Sequence, residues 1–436
     1  MIGGVQNIGR IPELQKRILF TFGMLAVYRV GAHIATPGIN TSVIKQFFDD
    51  VSGTVFGLFN LFSGGALEQL SIFALGIMPY ISASIIFQLL TVVVPTLEQL
   101  QKEGEQGRKK ITQWTRYATI VLALFQSTLI AFALENGQFG EGAVANPGWG
   151  FRAMCMITLT SGTAFIMWLG EQVTERGIGN GISLVIFASI IVSIPSGLGQ
   201  LFELIRTDQF TLLGALFLLG FMVLTVGAVV FVERGQRRIP IQHAKRVVGR
   251  KVTQGGASYF PLKVNTAGVI PPIFASSILM LPLTLGQFTE SPLIAKITQD
   301  YLDFGGLGYN IVYVSLIIFF AFFYTAIIIN PVDVSENIKR MGGYIPGIRP
   351  GKRTAEYIDK ILSRLTMIGG VYVAGVCVLP VILFSRVGVP FYFGGTALLI
   401  IVGVALDVIG QVEAHLVSRQ YEGFVQGGRT RGRLGR

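Results

Sequence analysis

Ten apolar runs, each long enough to cross a bilayer as a helix, constrain this chain more than any other feature. A helix needs about 20 predominantly apolar residues to cross the hydrocarbon core of a membrane. Hydrophobic residues make up 51% of the chain and charged residues only 14%, about half the usual charged fraction. The sequence therefore predicts an all-α integral membrane protein with ten transmembrane helices. The runs cover residues 18–35, 72–94, 117–134, 154–170, 182–198, 212–232, 269–285, 310–329, 368–384 and 394–409.

The basic residues alternate between poor and rich connecting segments. Of the 35 Lys and Arg residues, 29 lie in the N-terminus, the even-numbered loops and the C-terminal tail. Each odd-numbered loop carries one, and Arg29 lies inside the first run. Because cytoplasmic loops carry an excess of Lys and Arg, both termini are predicted to be cytoplasmic. A missed helix would scramble this alternation, so it also supports the count of ten.

The ten runs divide into two halves of five, which we place at residues 1–200 and 201–411, followed by a basic cytoplasmic tail at 412–436. Since each half has an odd number of spans, the second half begins on the opposite side of the membrane from the first. If the halves are related, they are inverted repeats with a pathway between them. No repeat is visible residue by residue, so this hypothesis rests on parity.

The stretch 55–94 contains two unequal apolar pieces. Residues 55–62 are too few to span, and Ser63-Gly64-Gly65 favours a turn after them. Residues 72–94 would form a helix of about 34 Å. A short apolar helix could lie on the membrane surface or re-enter the membrane. Irregular backbone at membrane depth survives only inside protein or beside water. The leading hypothesis is a half-helix folded into a cavity, followed by one wall of that cavity.

Three isoleucines, Ile77, Ile81 and Ile85, recur every four residues in the second run. This spacing places them on one face of a helix. From the spacing alone, lipid contact or ordinary helix packing is the favoured interpretation.

Two large cytoplasmic loops, 233–266 and 331–365, hold 15 of the 35 basic residues. Most of these bases are expected only to enforce topology or to attract anionic lipid. Arg349 differs, because Pro346-Gly347 and Pro350-Gly351 enclose it in a stiff turn. A guanidinium displayed on such a tip suits docking on a carboxylate of another protein.

Motifs for catalysis or for cofactor binding are missing from the sequence. GIRPGKR at 347–353 lacks the spacing of a phosphate loop, and GIGNG at 177–181 follows no strand. Cys155 and Cys377 lie in separate apolar runs, which favours buried free thiols. The prediction is a protein that is no enzyme and needs no cofactor and no metal. Only Arg29 and Asp407 lie clearly within spans, which argues against an ion-coupled transporter.

Seven segments resemble, in order, blocks of the SecY family of bacterial protein-translocase channel subunits. The resemblance covers nearly the whole chain, and the segments are FNLFSGGAL, LGIMPYISASIIFQLL, MWLGEQVTERGIGNGIS, VFVERGQRRIP, PLKVNTAGVIPPIFASSI, YIPGIRPG and VPFYFGGTALLI. The resemblance implies an hourglass channel of two inverted five-helix halves, with a re-entrant plug helix. It also implies a lateral gate between the second and third spans and the seventh and eighth.

The resemblance also carries roles to individual residues. It implies an aliphatic pore ring formed by Ile77, Ile81, Ile186, Ile273 and Ile400. It implies a plug at about 55–70, which includes Asn60, Phe62, Ser63, Gly64 and Gly65. It implies a docking surface for a motor or a ribosome formed by Lys245, Arg246, Arg250, Lys251 and Arg349.

The function implied by the resemblance is the passage of unfolded, signal-peptide-bearing secretory polypeptides across the bacterial cytoplasmic (inner) membrane, and the lateral release of membrane-protein helices. The implied partners are the SecE and SecG subunits, the SecA motor ATPase and the ribosome, with no nucleic-acid role beyond ribosome docking. A partner must supply the driving force. The alternatives are a secondary transporter, which the scarcity of midplane charge argues against, and a membrane scaffold, which the plug-like segment argues against. A lipid scramblase or insertase is the alternative that only the resemblance argues against.

Overall fold

The computed structural model describes residues 12–50, 60, 62–207, 211–243, 246–248, 251–253, 257–288, 306–387 and 395–431. The chain divides into two compact units. Unit 1 comprises Met1–Gly199 and Gly403–Arg436, and unit 2 comprises Gln200–Val402. Whether the two halves are inverted repeats stays a prediction.

Helices make up most of both units. In chain order, the first seven are α1 (Pro12–Ala32), α2 (Thr41–Asp50), α3 (Met78–Val93), α4 (Pro95–Lys102), α5 (Glu105–Glu135), α6 (Trp149–Arg176) and α7 (Gly181–Arg206). The others are α8 (Leu212–Glu233), α9 (Ile270–Phe288), α10 (Leu307–Ile328), α11 (Pro331–Arg340), α12 (Lys352–Val387) and α13 (Gly395–Arg431).

Seven helices of the described chain are long and apolar enough to cross a membrane, or eight if α3 and α4 form one bent span. They contain the predicted third to sixth and eighth to tenth runs. The first and seventh runs lie in α1 and α9. The helical membrane fold predicted from the sequence is therefore confirmed.

The second span begins later than the sequence predicted. Residues 71–77 form turns instead of the start of a helix, and α3 begins at Met78. Gly76 has φ +56°, in the left-handed region that glycine tolerates. Pro79 is one of the first two residues of α3, where its fixed φ favours the start of a helix. α3 has 16 residues, about 24 Å, and α4 leaves it at an angle of 99°.

A small sheet joins the two large loops, 233–266 and 331–365. Strands β1 (Gln236–His243), β4 (Ala257–Lys263) and β5 (Gly343–Tyr344) form an antiparallel sheet in the order β4-β1-β5. The short strands β2 (Arg246–Val248) and β3 (Lys251–Thr253) pair as a separate hairpin. The three-stranded sheet, α11 and the start of α12 enclose one apolar core, and we call this part the loop module. Its buried core residues are Ile239, Ile241, Leu262, Ile338, Ile345, Ile358 and Leu362.

The helix α12 belongs both to the loop module and to a predicted span. Its first turns place Ile358 and Leu362 in the module core, and it continues without a break to Val387. Farther along, Gly369 lies against the chain that leaves β4. A Cβ atom at 369 would lie only 2.7 Å from the Val264 carbonyl oxygen. α12 therefore runs as one helix from outside the apolar region into it.

Candidate functional site

Residues 62–77, which we call the re-entrant segment, are buried within unit 1 although little of their backbone is helical. The side chains of Phe62, Leu67 and Leu70 are buried, and that of Ser63 is 4% exposed. The predicted turn at Ser63–Gly65 is confirmed, since Gly64 and Gly65 have φ of +67° and +81°. Non-helical backbone at membrane depth requires such burial in protein, because lipid offers it no hydrogen bonds.

Asn60 and Glu68 close the turn from within. The Asn60 side-chain amide donates to Glu68 Oε2 at 3.1 Å, and its Oδ1 accepts from the Glu68 backbone N–H at 3.1 Å. Ser63 Oγ donates to the Asn60 carbonyl at 3.0 Å and accepts from the Leu67 N–H at 3.2 Å. The backbone N–H of Gly65 donates to the same Asn60 carbonyl at 3.0 Å. These bonds satisfy a turn that has no helical ladder.

Two side chains of α1 hold the turn from outside. The Tyr28 hydroxyl donates to the Ser63 carbonyl at 3.0 Å and lies 2.6 Å from the Ser189 hydroxyl on α7. Arg29 Nη1 donates to the Gly64 carbonyl at 2.9 Å. The contact leaves no room for a larger residue, because a Cβ at Gly64 would lie 2.9 Å from Ser189 Cα. The turn is therefore fixed between α1 and α7.

The far end of the re-entrant segment pairs with the chain that follows α1. The Thr36 N–H donates to the Leu70 carbonyl and the Ile72 N–H to the Ile34 carbonyl, both at 2.9 Å. Leu70 has φ +43°, an unfavourable value for a leucine, and its side chain is fully buried. Phe73 stacks between Tyr28 and Phe165, with ring centroids 5.9 Å apart on both sides.

Three of the predicted pore-ring isoleucines lie in unit 1, next to the re-entrant segment. Ile77 ends the segment, and Ile81 lies one turn into α3, where its N–H donates to the Ile77 carbonyl at 3.1 Å. Ile186 lies on α7, three residues before Ser189. All three side chains are buried, as is Ile85, so the stripe on α3 packs against protein.

The other two predicted ring residues lie in unit 2. Ile273, on α9, is half-buried, and its carbonyl accepts from the Ser276 and Ser277 hydroxyls. Ile400, on α13, is 1% exposed. One turn before it, the hydroxyl of Thr396 lies 2.9 Å from that of Tyr313. The grouping of all five isoleucines into one ring stays a prediction.

The GIGNG turn between α6 and α7 has a structural explanation. Gly179 has φ +88°, and its N–H donates to Gln411 Oε1 at 2.8 Å. The Ile178 N–H donates to Thr21 Oγ1 at 3.1 Å. A Cβ at Gly181 would lie 1.9 Å from the Gly170 carbonyl oxygen, so only glycine fits there. The turn thus joins α1, α6 and α13 within unit 1.

Arg349 lies on an exposed tip of the loop module. Its carbonyl accepts from Thr354 Oγ1 at 2.9 Å, and the Gly351 carbonyl accepts from Ser335 Oγ at 2.7 Å. Gly347 and Gly351 have φ of +80° and +104°. Beside the tip, Ile348 packs against the module core while the side chain of Arg349 stays exposed. The predicted stiff turn is therefore present.

The remaining predicted docking residues lie in and around the β2–β3 hairpin. Arg246 pairs with Thr253, and Lys251 with Val248, through the backbone. Lys245 and Arg250 lie outside the described residues.

The carboxylates of the described residues are the possible acid–base or metal-binding groups, and an ion pair accounts for Glu171 at the end of the predicted fourth span. Glu171 pairs with Arg116 of α5 at 2.6 Å, so this carboxylate serves to join two helices. Within the described ranges, no three His, Cys, Asp or Glu side chains gather as a metal site would require.

Sequence reasoning missed Tyr28 and Ser189 and did not assign a partner to Arg29. Arg29 carried a signal, because a charge inside a span is costly and marks a functional position by default. Nothing comparable marked Tyr28 or Ser189. Ser189 lies 161 positions from Tyr28 along the chain.

Comparison with known proteins gives one consistent family. A family sequence model described as SecY matches residues 71–409. The chain is 48% identical over 428 residues to the protein translocase subunit SecY of Escherichia coli strain K12, covering 97% of this chain and 96% of that one. It is 50% identical over 429 residues to the subunit of the same name from Pseudomonas aeruginosa, with the same coverage of both chains.

Solved structures give the same fold at lower sequence identity. A structure described as that of a protein conducting channel has a TM-score of 0.65 and 19% identity, and the match covers 95% of this chain and 97% of that one. A structure of Sec61 in the canine ribosome–channel complex also has a TM-score of 0.65, with 17% identity and the same coverage. Structures this distant support the fold alone.

Proposed function

The chain belongs to the SecY family of protein-translocase channel subunits, and on this premise we propose how its described parts conduct and gate a polypeptide. The protein is a multi-pass membrane protein and a protein-conducting channel subunit, not an enzyme. Family membership replaces the alternatives of a secondary transporter, a scaffold and a scramblase. The driving force comes from a partner, because the subunit itself has no catalytic role.

The plug is assigned to residues 55–70, as predicted, which include the first part of the re-entrant segment. The observation that carries this proposal is the turn at Ser63–Gly65, which lies in a largely buried segment that ends at the predicted ring residue Ile77. A closed channel needs a seal that a passing chain can displace. The turn is held by a few hydrogen bonds and by apolar packing, and such contacts can be broken and remade.

The five isoleucines form the constriction in this proposal. Aliphatic side chains offer a hydrated ion no ligand, so a narrow ring of them opposes ion passage by dewetting. The same side chains can move aside around an extended polypeptide. The lateral gate lies between the second and third spans and the seventh and eighth.

Deleting residues 59–66 should raise the resting ion leak and admit substrates with defective signal sequences. The deletion removes the turn that Tyr28 and Arg29 hold between α1 and α7, while the contact of α1 with Phe73 remains. Bilayer recordings of the purified channel and an export assay in cells measure the two effects. Normal leak from a folded, inserted deletion variant would contradict the plug assignment.

The proposed partners are a motor or a ribosome, two further channel subunits and the translocated polypeptide. The loop module presents Arg349 to the SecA motor or to a ribosome, and solved relatives include ribosome-bound channel complexes. We assign Lys245, Arg246, Arg250 and Lys251 to the same docking role, and their charge also suits anionic lipid. SecE and SecG complete the channel, and signal-bearing polypeptides are its substrates.

We place the protein in the bacterial inner membrane with both termini in the cytoplasm. A single cysteine at Lys352 should react with a membrane-impermeant thiol reagent only from the cytoplasmic side, and one at Gln138 only from outside. Both positions are exposed, whereas the native Cys155 and Cys377 are buried and should stay silent. Labelling of Lys352 and Gln138 from the same side would refute this topology.

A further inference from the structure

The polar contacts between α1, α7 and the Ser63–Gly64 turn point to a further role. We propose that Tyr28, Arg29 and Ser189 form a latch that sets how readily the plug leaves its closed position. The proposal rests on the assignment of the plug to this segment. It makes Tyr28 and Arg29 positioning residues for gating.

The latch acts on backbone carbonyls. Tyr28 and Arg29, neighbours on one helix, donate to two successive carbonyls, those of Ser63 and Gly64, at 3.0 and 2.9 Å. Both carbonyls belong to a turn in which Gly64 has φ +67°, so no helical ladder offers them a donor. In a membrane interior a carbonyl without a hydrogen bond is costly. Tyr28 and Arg29 supply the two hydrogen bonds only while the turn is in its closed position.

Ser189 gives the latch its second support. Its hydroxyl lies 2.6 Å from that of Tyr28, and both side chains are almost completely buried, at 0% and 1% exposure. Ser189 also touches the turn directly, since its Cα lies 2.9 Å from where a Cβ on Gly64 would be. The turn thus fits a socket formed by two helices, with Tyr28 bonded to both the turn and Ser189.

The hydrogen bonds of Tyr28 and Arg29 should contribute separately to holding the plug closed, whereas Tyr28 and Ser189 share one contact. One buried hydrogen bond changes a conformational equilibrium by about two- to tenfold. Tyr28→Phe removes the bond to Ser63 and the bond to Ser189 while keeping the ring stacked on Phe73. Arg29→Gln removes the charge and weakens the bond to Gly64. Because Tyr28 and Ser189 share one contact, the combined effect of Tyr28→Phe and Ser189→Ala should be smaller than the product of the two.

The test measures resting ion leak through the purified complex in planar bilayers. Tyr28→Phe and Arg29→Gln should each raise the leak about two- to tenfold, and Arg29→Lys should restore part of the seal because it keeps a cationic donor. Both variants should also export substrates with defective signals. Thr119→Val is the matched control, because it removes a fully buried hydroxyl of unit 1 that bonds only its own helix.

The outcomes separate the latch from the plug. Thermal melting of each purified variant near the wild-type temperature establishes that it is folded. If the 59–66 deletion raises the resting ion leak while Tyr28→Phe and Arg29→Gln leave it at the wild-type level, the latch proposal is wrong and the plug assignment stands. If the deletion is also tight, the plug assignment fails and the latch fails with it. An equal leak from Thr119→Val would overturn the latch as well, since it would show a general effect of buried hydroxyl loss.

Discussion

Replacing Ile81, Ile186, Ile273 and Ile400 together with glycine should raise the resting ion conductance of the channel about tenfold or more. Each change removes the whole aliphatic side chain from the proposed constriction, and a wider, wettable pore no longer excludes hydrated ions. Planar-bilayer recordings of the purified complex measure the effect. Glycine also weakens helices and leaves cavities, so each preparation is first checked for folding.

The matched control uses isoleucines on the same two helices that face away from the protein. Ile86 on α3 is 43% exposed and Ile191 on α7 is 37% exposed. The pair Ile86→Gly and Ile191→Gly carries the same helix penalty as Ile81→Gly and Ile186→Gly, but should leave conductance near that of the wild type. A folded fourfold variant as silent as the wild type would refute the ring.

Arg349→Glu should reduce motor-driven export at least tenfold while leaving the protein inserted and as stable as the wild type. Reversing an exposed charge opposes the acidic groups of a docking partner and disturbs no buried contact. The tip should keep its shape, because it is held by hydrogen bonds to the backbone carbonyls of residues 349 and 351 and by packing of the Ile348 side chain. None of these contacts uses the side chain of Arg349. Export of a reporter by reconstituted vesicles with the motor and ATP measures the loss.

Arg364→Glu is the control for charge reversal. Arg364 is also exposed and lies farther along α12, outside the tip that carries Arg349. The same change in charge there should reduce export little. If Arg349→Glu instead lowered the amount of folded protein while each surviving channel exported normally, the docking role of Arg349 would be wrong.

The parts of this fold that the sequence predicted are those decided by local composition. Apolar length fixed the helices, and the alternation of basic loops gave the topology prediction. Ser63-Gly64-Gly65 predicted a turn, since glycine tolerates the left-handed backbone found there. The start of the second span was wrong by six residues, because Ile72–Ile77 is as apolar as a helix in a membrane. Its Ile72 N–H instead bonds the chain after α1, and the N–H groups of Ala74 and Gly76 close local turns.

The parts that the sequence did not predict depend on contacts between distant residues. Tyr28 reads as an ordinary aromatic residue in an apolar helix until Ser63 and Ser189 lie beside it. The loop module is similar, because Ile239 and Ile358 belong to different loops and share one core only after folding. Neither periodicity nor charge counting carries this information. The five residues of the pore ring were assigned from the family resemblance, and that assignment stays a prediction.

The unbroken course of α12 has a mechanical consequence. Its 36 residues make a rod of about 54 Å that starts three residues after Arg349. At one end, Ile358 and Leu362 pack in the core of the loop module. Farther along, the close contact of Gly369 with Val264 opposes rotation of the helix about its axis. With the proposed docking role of Arg349, a force applied at the tip would act on one end of a continuous helix whose other end lies in a predicted membrane span.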